Sequence, residues 1–182
     1  MGGPSSPPYA SPMSEADELS LALPDDVTAL AARVLDLAGD RDWRLATAES
    51  CTGGLLASLL TDVEGKSSAF ERGFVTYSIE AKCELLHLAR DMVERCHAVS
   101  RDVAVAMAEG ALTASHARVA VAITGFAGPG ASGDEPGLVH FGCARSDGET
   151  MHREAHFGDI GRGPTRVAAV RVALMMFEEA LS

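Results

Sequence analysis

The sequence predicts an α/β fold with three layers, α/β/α, in which helices cover both faces of a mixed, mostly parallel five-stranded sheet. Three observations support this fold. Helical and strand patterns alternate through the first part of the chain, as they do in sheets built from parallel strands. Two later strand patterns flank the turn sequence at residues 146–149, which predicts a hairpin. The 182 residues, 47% of them hydrophobic, suffice for one domain with a buried core.

Each element follows from a local pattern. Apolar residues recur at helical spacing between residues 27 and 38, after a capping aspartate (Asp25 or Asp26) and before Gly39, which ends the helix. The continuous apolar run 119–123 is typical of a strand buried on both faces. The other predicted strands are 43–48, 74–77, 138–145 and 150–157, and the other predicted helices are 53–60, 79–88, 100–115 and 164–181.

The N-terminal residues differ from the rest in composition. Residues 1–26 hold five acidic residues, no basic residue and five of the eight prolines. Such a segment buries too little apolar area to offset the entropy of ordering it. We therefore predict a flexible, acidic, proline-rich tail at residues 1–23 and a single domain at residues 24–182.

Charge and composition argue against several classes of protein. The formal net charge of -11 disfavours a nucleic-acid partner, because phosphate backbones bind basic surfaces. No apolar stretch approaches the roughly 20 residues of a membrane span, and the N-terminus lacks a signal-peptide pattern. The four cysteines include no CxxC pair, which favours a reduced cytoplasmic protein over disulfides or a zinc site.

Three predicted strands end in polar or glycine-rich sequences. These are TAESCTGG at residues 47–54, TYSIEAK at 76–82 and TGFAGPG at 124–130. If the strands are parallel, all three endings lie at one edge of the sheet. Ligands of open α/β sheets bind outside the carboxyl ends of the strands. The sequence therefore predicts a site at this edge.

Ser50 stands where the first strand passes into a helix. Gly53 and Gly54 follow it and would let backbone N–H groups approach a ligand closely. The N-terminus of the helix favours an anion, whether a phosphate or a developing oxyanion. The alternative is that Ser50 or Thr52 only caps the helix.

Lys82 is one of two lysines in the chain. A desolvated lysine can lose its proton and then accept the proton of a serine hydroxyl, so Lys82 is a candidate base for Ser50. Tyr77, at the strand end, could orient the amine or relay a proton. The alternatives are a solvated helix lysine and an ordinary strand aromatic.

Other candidates are weaker. Cys51 could be a nucleophile, but a buried small thiol is the simpler interpretation. The six histidines include no HExxH-type pair; His140 and His156 could meet across the hairpin, and we predict no metal site. The glycines at 125–130 could cradle a phosphate or only form a tight loop. Arg162 and Arg166 could clamp a phosphate or be solvated.

With these residues the chain resembles a known family. The segments TAESCTGG (47–54), FERGFVTYSIEAK (70–82), HAVS (97–100) and TGFAGPG (124–130) are similar to the C-terminal domain of the competence/damage-inducible protein CinA. The resemblance runs from about residue 25 to the C-terminus. Stand-alone members are nicotinamide-nucleotide amidohydrolases, and we expect no room here for the N-terminal domain of the longer CinA proteins.

The resemblance implies a cytoplasmic homo-oligomer that needs no cofactor and hydrolyses the carboxamide of nicotinamide mononucleotide, a small-molecule substrate, to nicotinate mononucleotide and ammonia. It implies Ser50 as nucleophile, Lys82 as base and Tyr77 as an assisting residue. The residues expected to bind substrate or stabilise the oxyanion are Cys51, Thr52, Gly53, Gly54, Thr124, Gly125, Gly128 and Arg162.

The chain departs from the family pattern at three places. Ile79 stands where the family usually has asparagine, and the loop at residues 131–137 is shorter and lacks the usual lysine. The arginine before the last helix, Arg162, follows Gly158-Asp159 by an unusual spacing. Two alternatives therefore stay open: a non-enzymatic nucleotide-binding module, and a serine–lysine amidohydrolase with another amide substrate.

Overall fold

A computed structural model describes residues 23–129 and 133–182, so residues 1–22 of the predicted tail lie outside the described residues. The strands are β1 (Leu45–Glu49), β2 (Phe70–Val75), β3 (Val119–Gly125), β4 (Leu138–Arg145) and β5 (Met151–His156). The helices are α1 (Asp25–Asp40), α2 (Leu55–Asp62), α3 (Ile79–Leu86), α4 (Arg90–Arg95), α5 (Arg101–Thr113) and α6 (Arg162–Ala180). None of these helices is both long and apolar enough to cross a bilayer.

The five strands form one sheet in the order β2-β1-β3-β4-β5. Strand β1 pairs in parallel with β2 and β3, whereas β4 is antiparallel to both β3 and β5. Four strands therefore run in one direction and only β4 opposes them. The predicted mixed, mostly parallel sheet is confirmed. The β4–β5 hairpin pairs with the free edge of β3, which places these two strands last in the order.

Helices cover both faces of the sheet and enclose two cores. Along β3, Val119, Val121 and Ile123 face α1, α2 and α6, while Ala120 and Ala122 face α3, α4 and α5. The strand is buried on both faces, which explains its continuous apolar sequence. Small alanines on the second face bring the helices of that layer close to the sheet.

Two predicted elements have other bounds in the structure, and one helix was not predicted. Strand β2 spans 70–75, not 74–77; it is an edge strand, partly or fully exposed throughout, so its apolar pattern is weak. Helix α2 begins at Leu55, not at residue 53, because Gly53 and Gly54 both have positive φ and cannot be helical. The short helix α4 was not predicted.

The sheet register brings the predicted strand ends together. Glu49 at the end of β1 pairs with Val75 of β2 and with Ile123 of β3. The next residue, Ser50, continues the ladder, since its N–H donates to the carbonyl oxygen of Ile123 at 2.9 Å. The three endings therefore lie at the same edge, as predicted.

Helix α3 packs directly on the backbone of α5. A Cβ added at Gly110 of α5 would lie 2.4 Å from the carbonyl oxygen of Leu86, the last residue of α3. By contrast, a Cβ at the helical Gly39 of α1 would meet no described atom within 4 Å. The two glycines thus offer a matched pair for testing the α3–α5 contact.

We expect Gly110→Ala to lower the free energy of unfolding by about 1–3 kcal/mol, because the added methyl overpacks a backbone contact. Gly39→Ala, the control, should leave the free energy of unfolding unchanged or raise it by up to about 1 kcal/mol through helix propensity. Urea unfolding followed by circular dichroism measures both. Equal midpoints for the two variants would contradict the close packing of α3 on α5.

Candidate active site

The loop between β1 and α2 is organised by a buried carboxylate. Glu49, fully buried at the end of β1, accepts N–H groups of Gly54 and Leu56 at 3.1 Å and of Ala57 at 2.8 Å. A carboxylate at the N-terminus of a helix satisfies orphan donors and complements the helix dipole. Glu49 thereby ties the end of the strand to the start of α2 and fixes Ser50 between them.

The same loop is held from its other side by α6. The Arg166 guanidinium donates to the carbonyl oxygen of Thr52, with Nε at 3.0 Å. It also passes Gly53, where a Cβ would lie 3.4 Å from Nη2. Arg166 therefore supports the loop and is not available as the phosphate clamp considered from the sequence.

Lys82 meets Ser50 in the interior. The Lys82 side chain is 0% exposed, and its Nζ lies 3.3 Å from Ser50 Oγ and donates to the carbonyl oxygen of Thr76 at 2.7 Å. Helix α3 places this lysine in its first turn, where Ser78 caps the helix by accepting the N–H of Ala81. The two residues that the sequence paired as nucleophile and base are within hydrogen-bond distance.

Burial shifts the pKa values of the Lys82 amine and of the neighbouring Cys51 thiol. Loss of hydration lowers the pKa of the Lys82 amine, and no described carboxylate forms an ion pair with it. Burial, with the nearby Glu49 charge, raises the pKa of the Cys51 thiol to about 11. The lysine is thus shifted toward its neutral, basic form, whereas Cys51 stays a protonated thiol and a poor nucleophile.

The backbone amides of the loop divide into two groups. The N–H of Gly53 donates to the carbonyl oxygen of Ser50 at 3.1 Å, and that of Gly54 donates to Glu49. These two amides are therefore already used within the loop. Among residues 23–129 and 133–182, the amides of Cys51 and Thr52 donate to no backbone carbonyl oxygen. Of the amides expected to stabilise the oxyanion, those of Gly53 and Gly54 are therefore excluded, and those of Cys51 and Thr52 remain candidates.

Two buried threonine hydroxyls near Ser50 and Lys82 lack a hydrogen-bond partner among the described residues. The Oγ1 atoms of Thr52 and Thr76 are buried and form no hydrogen bond within the described part of the chain. A buried polar atom left without a partner costs about 1–3 kcal/mol. Such atoms are typical of sites that a ligand or water completes.

A pocket of about 220 Å³ opens at the same edge. Arg162, the first residue of α6, lies on its wall with its guanidinium 3.8 Å from the Cβ position of Gly128. Arg162 is exposed and has no carboxylate partner among the described residues. The pocket is lined by Cys51, Tyr77, Gly125, Phe126, Ala127, Gly128, Pro129 and Arg162.

Tyr77 and Thr124 do not make the contacts expected of them, whereas Gly125 lines the pocket. Tyr77 is 71% exposed on the pocket wall, and no hydrogen bond joins it to Ser50 or Lys82 in the described structure. Thr124 is buried, with its hydroxyl donating to the carbonyl oxygen of Ala98 at 2.7 Å. Gly125 packs against β4, since a Cβ there would lie 2.6 Å from a carbonyl oxygen of that strand.

The roles of Glu49, Thr76 and Arg166 were not predicted from the sequence. Glu49 carried one signal: an acidic residue inside an apolar strand and directly before a glycine-rich helix start. The roles of Thr76 and Arg166 depend on a carbonyl oxygen and on a contact across 114 positions, which leave no local pattern. Ile79, at the position of the usual asparagine, is half-buried against the α5 side of the core.

Known relatives share both sequence and fold. The nicotinamide-nucleotide amidohydrolase PncC of Enterobacter agglomerans is 42% identical over 143 residues, covering 78% of this chain and 85% of its own. The protein of the same name from Escherichia coli K12 is 47% identical over 137 residues, covering 74% and 82%. A CinA-like protein of Syntrophobacter fumaroxidans is 41% identical over 145 residues, covering 79% of this chain but only 34% of its own length.

The solved structure of the competence/damage inducible protein CihA from Agrobacterium tumefaciens superposes with a TM-score of 0.83 at 43% identity, covering 87% of this chain and 97% of that one. The family model of the CinA C-terminal domain matches residues 27–181. By both sequence and fold, the chain belongs to the CinA C-terminal domain family.

Proposed function

We propose that the protein hydrolyses the carboxamide of nicotinamide mononucleotide to nicotinate mononucleotide and ammonia. The observation that carries the proposal is the buried Lys82 amine 3.3 Å from Ser50 Oγ, at the edge of the sheet where a pocket opens. The names of relatives 42–47% identical to the chain support the substrate. Membership of the family agrees with the reaction class.

The first half of the reaction forms a tetrahedral intermediate on Ser50. Ser50 Oγ attacks the carboxamide carbon while neutral Lys82 takes the hydroxyl proton, and the Thr76 carbonyl holds the amine in place. The negative charge that develops on the carboxamide oxygen is stabilised by the amides of Cys51 and Thr52. Because the loop already holds these donors in place, stabilising the charge requires no reorganisation of solvent.

The second half releases the products. The Lys82 ammonium returns its proton to the departing nitrogen, so the C–N bond breaks and ammonia leaves with the serine acylated. Neutral Lys82 then takes a proton from a water molecule that attacks the ester. The bond to Ser50 breaks, the hydroxyl recovers a proton from Lys82, and nicotinate mononucleotide leaves.

The rest of the substrate fits the pocket chemistry. Tyr77 offers an exposed aromatic face on which a pyridine ring can stack. Arg162, with its guanidinium free of carboxylates in the described structure, offers a bidentate partner for the phosphate beside Gly128. The homo-oligomer and the cytoplasmic location that the resemblance implies stay predictions.

Ser50→Ala and Lys82→Ala should each lower kcat for ammonia release by at least about 10³-fold, because each removes one half of the nucleophile–base pair. Ser58→Ala on the exposed face of α2 and Lys66→Ala, the other lysine, are matched controls that should keep wild-type turnover. A coupled ammonia assay with nicotinamide mononucleotide measures all four. Full activity in Ser50→Ala would exclude the proposed nucleophile.

The pH profile of kcat/KM should report the Lys82 amine. Activity requires the neutral base, so kcat/KM rises with pH through the lysine pKa of the free enzyme. Burial lowers that pKa, so the inflection should lie below the 10.5 usual for lysine. Lys82→Arg, which stays protonated, should be inactive throughout. If kcat/KM does not rise with pH below 10.5, or if the Lys82→Arg enzyme is active, Lys82 is not the base.

Arg162→Ala should weaken binding of the phosphate specifically. Losing a charge-assisted contact should raise KM for nicotinamide mononucleotide about 10- to 100-fold, while KM for nicotinamide riboside, which has no phosphate, should change little. Arg33→Ala, an exposed arginine outside the pocket, is the control. Steady-state kinetics on both substrates separate these effects. Equal changes for the two substrates would show that Arg162 does not contact the phosphate.

A further inference from the structure

Three metal-ligating side chains meet on the β4–β5 hairpin, away from the pocket. His140 Nδ1 lies 3.2 Å from His152 Nε2 and 3.3 Å from a carboxylate oxygen of Glu154. The three donor atoms all lie within 4.8 Å of one another. None of these residues lines the pocket of the proposed reaction. The cluster therefore needs its own explanation.

We propose that His140, His152 and Glu154 bind one divalent transition-metal ion of the Zn²⁺ class. The ion would have three protein ligands and a fourth position open to solvent. This site goes beyond the proposed hydrolysis and takes no part in its steps.

Two of the three ligand separations match the edge of a zinc tetrahedron. Zinc bonds of about 2.0–2.1 Å to nitrogen and oxygen place neighbouring ligand atoms about 3.3–3.4 Å apart in a tetrahedron. The two separations from His140, 3.2 and 3.3 Å, agree with this edge length. Two imidazoles and one carboxylate are also the ligand types that zinc and its neighbours prefer, whereas Ca²⁺ and Mg²⁺ select oxygen atoms.

The sheet register explains why these residues converge. His140 of β4 pairs directly with Glu154 of β5, and Gly142 pairs with His152. Residues two apart on a strand share one face, so all three side chains lie on the same side of the hairpin. Gly142 has no side chain, and its backbone packs on the Ala104 carbonyl of α5. The cluster therefore sits where the hairpin meets α5.

Neighbouring side chains hold the carboxylate of the cluster in place. His156 bridges the other Glu154 oxygen at 2.8 Å and Glu135 at 2.7 Å. These outer contacts orient the carboxylate and leave its second oxygen toward His140.

The sequence concealed this site. The three ligands are separated by 12 and by two positions, across a turn, so no compact metal motif exists. The structure also corrects the expected partner of His140: it contacts His152 and Glu154, whereas His156 contacts Glu154 and Glu135. The prediction that no metal site exists rested on spacing alone.

Zn²⁺ and Co²⁺ titrations of the chelator-treated full chain test the proposal. We expect one equivalent of Zn²⁺ to bind by calorimetry and Co²⁺ to show the intense visible absorption of four-coordinate cobalt. Zn²⁺ should also raise the melting temperature, because it joins β5 to β4 and binds only the folded chain. His152→Asn and Glu154→Gln should each weaken binding more than about 100-fold, beyond the loss typical of an outer-shell change.

The controls keep the test decisive. His116→Asn changes a histidine that is 80% exposed and outside the cluster, so it should bind Zn²⁺ as the wild type does. Glu154→Gln alters a side chain that is 43% exposed and should fold normally, which makes it informative if a histidine variant is unstable. The proposal is overturned if the wild type binds no Zn²⁺, or if Glu154→Gln binds Zn²⁺ as tightly as the wild type does. Ammonia release is measured separately and bears only on the proposed function.

Discussion

The site depends on one buried charge, the carboxylate of Glu49. A carboxylate removed from water is costly unless several donors replace its hydration. Here three backbone amides at the start of α2 do so, and they are amides that would otherwise lack partners. The end of the strand and the start of the helix thus satisfy each other's polar groups, and they place Ser50 between them. The position of the proposed nucleophile is a consequence of a helix cap.

Lys82 is buried without a compensating charge, because no carboxylate among residues 23–129 and 133–182 forms an ion pair with it. Its amine rests on the Thr76 carbonyl and the Ser50 hydroxyl, which are neutral acceptors. The folded pKa is therefore lower than that of the unfolded chain, and the unfolded state binds more protons as pH approaches the lysine range from below. The burial penalty is fully present below the folded pKa and is recovered as pH rises through the window up to 10.5. At neutral pH the burial of Lys82 therefore lowers the free energy of unfolding, and the same burial shifts the amine toward the neutral form that the proposed reaction needs.

What the sequence could predict was local or periodic. The apolar run of β3, the helical pattern of α5 and the hairpin turn are short-range patterns, and each of these predicted elements is present. The convergence of Ser50 and Lys82 followed from parallel strands sharing an edge. The edge strand β2 was misplaced because solvent on its outer side removes the apolar pattern. Likewise Arg166 on Thr52, and His140 on Glu154, arise from packing and register, which no residue spacing encodes.

The charge of the chain is compatible with an anionic substrate because the charges are arranged locally. Helices α1, α3, α4 and α5 each carry an acidic residue in the first turn, and α2 has the Glu49 carboxylate. Helix α6 has none there, and Arg162 stands at its start, where the helix dipole disfavours a cation. Both the helix dipole and the Arg162 guanidinium therefore make the N-terminus of α6 positive, although the chain has a net charge of -11. A phosphate beside Arg162 would offset both the helix dipole and a guanidinium that has no carboxylate partner among the described residues, so the proposed anion site is compatible with the acidic net charge.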